Sequence, residues 1–376
     1  MLHFLKQFKI VQLYLTYILV FACISCTIGQ IIAFPLKYIS PRLFYVLNDK
    51  LCYCYFCLIP YAVENWGGYT IRVYGKDGIY QTFEKSRNKN MLVVMNHTGE
   101  VDWMIGWSLI ERVGLLGVVK TMIKDSVKYV PVFGWSFYFS DYIFVKRSAQ
   151  TDLPLIKKAC DVYKKYPYNF LMTIFPEGTR FTREKHSESL AFACKRDLPQ
   201  YKHHLLPRAK GLYTLVCMMK NNDNSEFFYD VEFAYRGKEA TTLGILSGDA
   251  GMCDVNMRLI PLRDIPLEEK AFSEWLYQLF REKDELMEYH LKHGCFPGMH
   301  LQADQGYWRS KLALFWSLVS TLPILSLLYC LISSEQWIIV AFLIGLVPIA
   351  SWMFKQLIHL TESKHGSSYG LNNKKV

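Results

Sequence analysis

The first residues able to do chemistry are Asn96-His97-Thr98-Gly99-Glu100-Val101-Asp102-Trp103. The apolar run Met91–Met95 before them predicts a strand. Gly99 predicts a turn, and the amphipathic stretch on through Glu111 predicts a helix with Thr98 as its cap. A bend at Thr98 and Gly99 brings an imidazole at the strand end to a carboxylate in the first helical turns. With its Nδ1–H held by Asp102, His97 turns Nε2 outward as a proton acceptor, which is what activating a hydroxyl near neutral pH requires. A strand-end histidine alone is more often a structural hydrogen bonder, so the functional reading needs further groups.

Those groups follow a second apolar run, Phe170–Phe175, as Phe175-Pro176-Glu177-Gly178-Thr179-Arg180. Gly178 permits close backbone approach to a ligand, Arg180 offers a fork for phosphate, and Glu177 offers an acceptor for a hydroxyl. Upstream, Asp141–Arg147 ends another apolar run in two cations, Lys146 and Arg147. A single arginine usually forms a surface ion pair. Several cations gathered with His97 and Asp102 point instead to a doubly charged phosphate.

The scaffold expected to position them is an α/β domain between about Lys37 and Lys311, with short β-rich runs, intervening helical patterns and no internal repeat. Asp152–Lys165 has helical spacing with Lys157, Lys158, Lys164 and Lys165 as a solvated face, and Leu267–Leu291 is a helix assigned structure only. The 376 residues, 51% of them hydrophobic, exclude a disordered or collagen-like chain. The 43 Lys+Arg against 33 Asp+Glu are dispersed, with no zinc finger or comparable reader, so no nucleic-acid partner is expected. Attraction to anionic lipid headgroups is enough to account for the charge.

Membrane segments flank this domain. Ile10–Leu36 is a stretch of 27 uncharged residues, more than the roughly 20 a helix needs to cross the hydrocarbon. It is read as retained, because it exceeds a signal-peptide core and no clean small-residue cleavage site follows. Its evenly basic flanks do not orient it, and whether it crosses or dips is left open. Leu51–Val63 is too short to span and is expected at the interface or packed on the first helix. Leu312–Ser334 and Gln336–Phe354 give 23 and 19 further uncharged residues. They read as a hairpin turning at Ser333, Ser334 and Glu335, with Arg309, Lys311 and Lys355 on the cytosolic side. Eleven scattered cysteines form no disulfide framework, Cys54-Tyr55-Phe56-Cys57 is half a zinc site with nothing to complete it, and no metal is expected. The sequon Asn96-His97-Thr98 escapes modification at a cytosolic or buried site.

Asn-His-x-x-x-x-Asp at 96–102, the strand end carrying Arg147, Pro-Glu-Gly-Thr-Arg at 176–180 and Leu-Pro-Arg-Ala-Lys-Gly at 206–211 resemble, in order and spacing, the four blocks of the glycerolipid acyltransferase family. Gly134-Trp135, Lys185-His186, His203-His204-Leu205-Leu206, Leu243–Leu246 and Gly366–Gly370 resemble its gamma/delta branch. The resemblance implies an α/β fold, a mixed sheet flanked by helices, with an N-terminal membrane helix and a C-terminal transmembrane hairpin. It implies transfer of an acyl group from acyl-CoA to the sn-2 hydroxyl of lysophosphatidic acid, giving phosphatidic acid, with acyl-CoA as co-substrate and no cofactor. His97 and Asp102 would be catalytic, and Arg147, Glu177, Gly178, Thr179, Arg180 and Pro207 would bind substrate. Arg208 and Lys210 make the fourth block more basic than the plain apolar-Pro-apolar stretch common in the family. The corresponding division is an anchoring region at 1–63, an acyltransferase domain at 64–308, the hairpin at 309–355 and a polar tail at 356–376. A multi-pass location in the endoplasmic reticulum or a related endomembrane follows, with the site on the cytosolic side.

Competing readings are another lysophospholipid acceptor, such as lysophosphatidylinositol, and a noncatalytic membrane adaptor, which predicts that replacing His97 changes nothing. Gly366-Ser367-Ser368-Tyr369-Gly370 matches a hydrolase nucleophile elbow by letter. It is set aside because an elbow needs a buried strand before it and a helix after it.

Overall fold

The computed structural model describes residues 8–339 except 77, 131, 147, 223, 237–239, 250 and 302–306, and residue 345 besides. Arg147, most of the second hairpin arm and the tail with Gly366–Gly370 lie outside the described residues.

The main elements run α1 (Lys9–Ala33), α2 (Pro41–Phe56), β1 (Thr70–Gly75), β2 (Asn90–Met95), α3 (Asp102–Arg112), β3 (Val119–Lys124), α4 (Phe133–Phe139), β4 (Ile143–Val145), α5 (Ala149–Tyr163) and β5 (Leu171–Ile174). They continue with α6 (Arg183–Cys194), α7 (Ala209–Lys220), β6 (Ser225–Arg236), β7 (Met252–Pro261), α8 (Glu269–His293), β8 (Met299–Leu301) and α9 (Tyr307–Ser333). The strands form one eight-stranded sheet in the order β4-β3-β5-β2-β6-β7-β1-β8. Neighbours from β4 to β6 are parallel, β6 and β7 are antiparallel, and β8 runs antiparallel on β1, so the sheet is mixed. The carboxyl ends of β3, β5, β2 and β6 therefore share one edge, where the loops carrying candidate chemistry emerge.

β2 and β5 hold no charged residue and are buried along their length, as the parallel centre of a sheet covered on both faces must be. Successive side chains of β2 feed two cores. Met91, Val93 and Met95 join Cys23 of α1, Cys52 and Phe56 of α2 and Ile105 of α3. Leu92 and Val94 join Ile156 of α5, Leu212 of α7 and Phe272 and Leu276 of α8. The helical pattern expected at Asp152–Lys165 is α5, and the one at Leu267–Leu291 is α8. Glu268 caps α8 by accepting from the N–H groups of Lys270 and Ala271, and Gly294, at φ 71°, ends it.

Two helices among the described residues are long and apolar enough to cross a membrane, Ile10–Ala33 and Trp308–Ser333. The amino-terminal segment also lies along the domain, from Gln12 of α1, whose amide donates to Ser247 Oγ over 3.1 Å, to Lys37 just beyond α1, which pairs with Asp141 at 3.0 Å. The stretch Leu51–Val63 packs back on it: Cys52, Tyr55, Phe56 and Val63 are buried in the core that also takes Ala22 and Cys26. The chain after α9 turns at Glu335, with φ 55°.

Candidate active site

At the end of β2 the side chain of Asn96 takes over from the strand ladder. Its amide donates to Phe233 O over 3.0 Å and its oxygen accepts the Phe233 N–H over 2.7 Å. Asn96 is fully buried, clamped to β6, and His97 emerges on the sheet edge. The His97 Nδ1 lies 2.8 Å from Asp102 Oδ2, with the imidazole 21% exposed and the carboxylate not at all. Asp102 is the first residue of α3, where the helix dipole favours an anion. Its two oxygens also accept the Gly99 N–H at 3.0 and 2.9 Å, and Oδ1 accepts the Tyr235 hydroxyl over 2.6 Å. Thr98 is not the expected cap. Val101 occupies the cap position without a side-chain bond, the carboxylate of Asp102 itself closes the turn, and the buried Thr98 Oγ1 has no partner.

The loop after β5 wraps around His97. The Phe175 ring lies 4.5 Å from the imidazole centroid. Glu177 Oε1 accepts the His97 N–H over 2.8 Å, and the Phe181 N–H donates to His97 O over 2.7 Å. The other oxygen of Glu177 accepts the Leu205 N–H over 3.0 Å, so this buried carboxylate ties three loops together. Burial pushes the Glu177 carboxyl above its usual range, opposed by nearby His204 and by those two N–H groups.

Gly178 adopts φ 70°, a left-handed turn that suits glycine. What lies over its bare face is the side chain of Arg208, whose Cζ and Nε would stand 2.9 Å from a Cβ there. The Arg208 N–H donates to Pro176 O over 2.8 Å, joining the 176–180 and 206–211 blocks, with Pro207 buried between them. Thr179 is buried and accepts from Lys185 Nζ over 2.7 Å. Arg180 is partly exposed and makes no side-chain hydrogen bond or ion pair among the described residues. The turn is therefore surrounded by cations, while its one acid faces inward.

Behind this loop His204 is buried between Glu232 at 2.7 Å and Asp284 at 3.1 Å. Burial opposes the charged ring, but the Glu232 charge and the hydrogen bonds that the ring donates to Asp284 and Glu232 outweigh it and push the imidazole up to about 10. The chain of charges runs on from Glu232 through Lys283 and Asp230 to Arg258, at 2.9, 2.8 and 2.7 Å.

The structure thus brings His97, Asp102, Glu177, Gly178, Thr179, Arg180 and Pro207 to one edge. Reasoning from sequence missed Tyr235, which lies 133 residues from Asp102 in a strand where one aromatic looks like the next. It also missed that Arg208 covers Gly178, although the unusual basic character of that block was the available signal. No group of three or more potential metal ligands occurs among the described residues.

Residues 70–224 match the family model described as Acyltransferase, and residues 244–320 match the one described as Acyltransferase C-terminus. The mouse (Mus musculus) 1-acyl-sn-glycerol-3-phosphate acyltransferase delta is 35% identical over 340 residues, covering 90% of this chain and 88% of the relative. The human (Homo sapiens) gamma protein is 32% identical over 371 residues, 98% of this chain and 97% of the relative. The human delta protein is 32% identical over 372 residues, 99% and 97%. With the blocks at 96–102, 176–180 and 206–211 meeting at one sheet edge and similarity running nearly end to end, the chain belongs to the acyltransferase family that holds these gamma and delta proteins.

Proposed function

We propose that this protein transfers a fatty acyl group from acyl-CoA to the sn-2 hydroxyl of lysophosphatidic acid, yielding phosphatidic acid and CoA for phospholipid and triacylglycerol synthesis. The observation that carries the mechanism is the 2.8 Å contact between His97 Nδ1 and Asp102 at the carboxyl end of the central strand. Asp102 holds the Nδ1–H, and Nε2 takes the proton from the acceptor hydroxyl. The alkoxide oxygen attacks the thioester carbonyl, and collapse of the tetrahedral intermediate breaks the C–S bond. The departing thiolate recovers the proton from the imidazolium as CoA. A thioester is already an activated donor, so a base and orientation suffice without a covalent enzyme intermediate.

Arg180 and, where the family places it, Arg147 receive the phosphate, with Gly178, Thr179 and Pro207 shaping the turn beneath it. Glu177 has both oxygens engaged by backbone N–H groups. In this reading it positions His97, in place of the direct substrate contact expected from sequence. Acyl-CoA is the co-substrate and no further cofactor takes part. The division at 63, 308 and 355 belongs to the same reading, with the apolar helices delivering both amphipathic substrates from the bilayer. So does residence in the endoplasmic reticulum or a related endomembrane with the site facing the cytosol. The test is to incubate purified protein with labelled acyl-CoA and a panel of lysophospholipids and to identify products by mass. Phosphatidic acid from lysophosphatidic acid is the expected product. Acylation confined to another acceptor would move the headgroup assignment, and no acylated lipid from any acceptor would reject the reading.

A further inference from the structure

We propose that Tyr235 is a positioning residue for the reaction, setting both the orientation and the basicity of the His97–Asp102 pair. This rests on the reading of His97 as the base. The Tyr235 hydroxyl donates to Asp102 Oδ1 over 2.6 Å, while Asp102 Oδ2 faces His97 Nδ1 at 2.8 Å. A carboxylate free to rotate about its Cβ–Cγ bond presents either oxygen to the ring. Tied at Oδ1 to β6, it presents Oδ2 alone.

Gly99 supplies an independent observation of how closely this corner is built. A Cβ on Gly99 would stand 3.0 Å from Tyr235 Cε2 and 3.0 Å from Asp102 Oδ1, so the turn closes on the phenol and the carboxylate together. Tyr235 belongs to a strand paired on its outer side with β7, opposite Cys253, so its hydroxyl is delivered by the sheet and not by a mobile loop. Burial, followed by the neighbouring Asp102 charge, pushes the Tyr235 phenol well above its ordinary range. It stays protonated, and therefore a donor, across the working pH range.

The chemical consequence lies on His97. A hydroxyl dipole aimed at Asp102 shares the carboxylate charge and weakens its pull on the Nδ1–H. Without that donor the full charge acts on the ring, its affinity for a second proton rises, and less free base is present at a given pH.

The experiment compares the full-length protein with Tyr235→Phe in lipid nanodiscs, using lysophosphatidic acid and labelled acyl-CoA between about pH 5.5 and 9.5. The expected result is an acid limb of kcat/KM displaced upward by about half to one pH unit. At neutral pH kcat falls about 3- to 10-fold, with KM for both substrates within about twofold. Adding Tyr235→Phe to Asp102→Asn causes no further loss, because the phenol acts through that carboxylate. Site-specific 3-fluorotyrosine at position 235, a stronger donor with the ring retained, moves the limb downward and decides the matter should the phenylalanine variant not fold. An acid limb unmoved by either replacement, or a loss that multiplies with that of Asp102→Asn, overturns the assignment of Tyr235 alone. Full activity in His97→Ala overturns the base reading and this inference with it.

Discussion

His97 combines a partly exposed imidazole with a carboxylate sealed from water, so the proposed proton acceptor is Nε2, the nitrogen Asp102 does not hold. Replacing Asp102 with Asn keeps the shape but offers an amide donor to Nδ1, which favours the tautomer with its proton on Nε2. We expect kcat to fall about 10²- to 10⁴-fold, the range a positioned general base supplies, with nitrogen NMR of His97 reporting the tautomer change. Arg180→Ala should act differently. Losing a charge-assisted contact to phosphate is expected to raise KM for lysophosphatidic acid about tenfold or more with kcat changed far less, and a matched drop in kcat at constant KM would contradict the assignment. The His97–Asp102 pair was legible in the sequence because a single local bend makes it. The anchoring of Glu177 was not, because its partners are backbone N–H groups of residues 97 and 205, brought together only by the folded sheet.

The elements show the same division between local and distant information. The strands before His97 and Glu177 and the helices α5 and α8 were recognisable from periodicity and length, since each signal lies within one segment. Arg309 was not. It read as a flanking cation of a membrane segment, yet its side chain is fully buried, 2.7 Å from Glu64 Oε1 and 3.7 Å from Glu111 Oε2. Arg112 reaches the other oxygen of Glu64 at 2.6 Å. Because Arg112 and Glu111 close α3, the helix that begins at Asp102, this ionic cluster joins α9 to the far end of the helix carrying the orienting carboxylate. Arg309→Met leaves buried acids without a counter-charge and should destabilise the protein by about 3–5 kcal/mol. Thermal unfolding in detergent measures this, and Arg309→Met combined with Glu64→Met should recover part of the loss, whereas simple additivity would show that the two residues are not coupled.

On the scale of the whole molecule, the candidate site is an edge of a sheet backed by buried charge. His204 is held protonated up to about 10, against an ordinary value of 6.5, so its contribution to stability is fully present below about pH 6.5 and is lost as the pH rises through about 10. Melting temperature should therefore decline with rising alkalinity more steeply in the wild type than in His204→Gln, and parallel profiles for the two would show that this histidine does not carry the charge. The apolar segments point to membrane association by length and composition alone, while the packing of the chain from Gln12 to Lys37 along the domain depends on contacts that no window of sequence contains. What unites these levels is the claim that His97 removes the proton from a lysophospholipid hydroxyl. The direct measurement is phosphatidic acid formation from lysophosphatidic acid and labelled acyl-CoA by the wild type and by a folded His97→Ala protein in the same bilayer. The account predicts robust product from the first and a rate at least about 10²-fold lower from the second. Equal rates from the two proteins would contradict it.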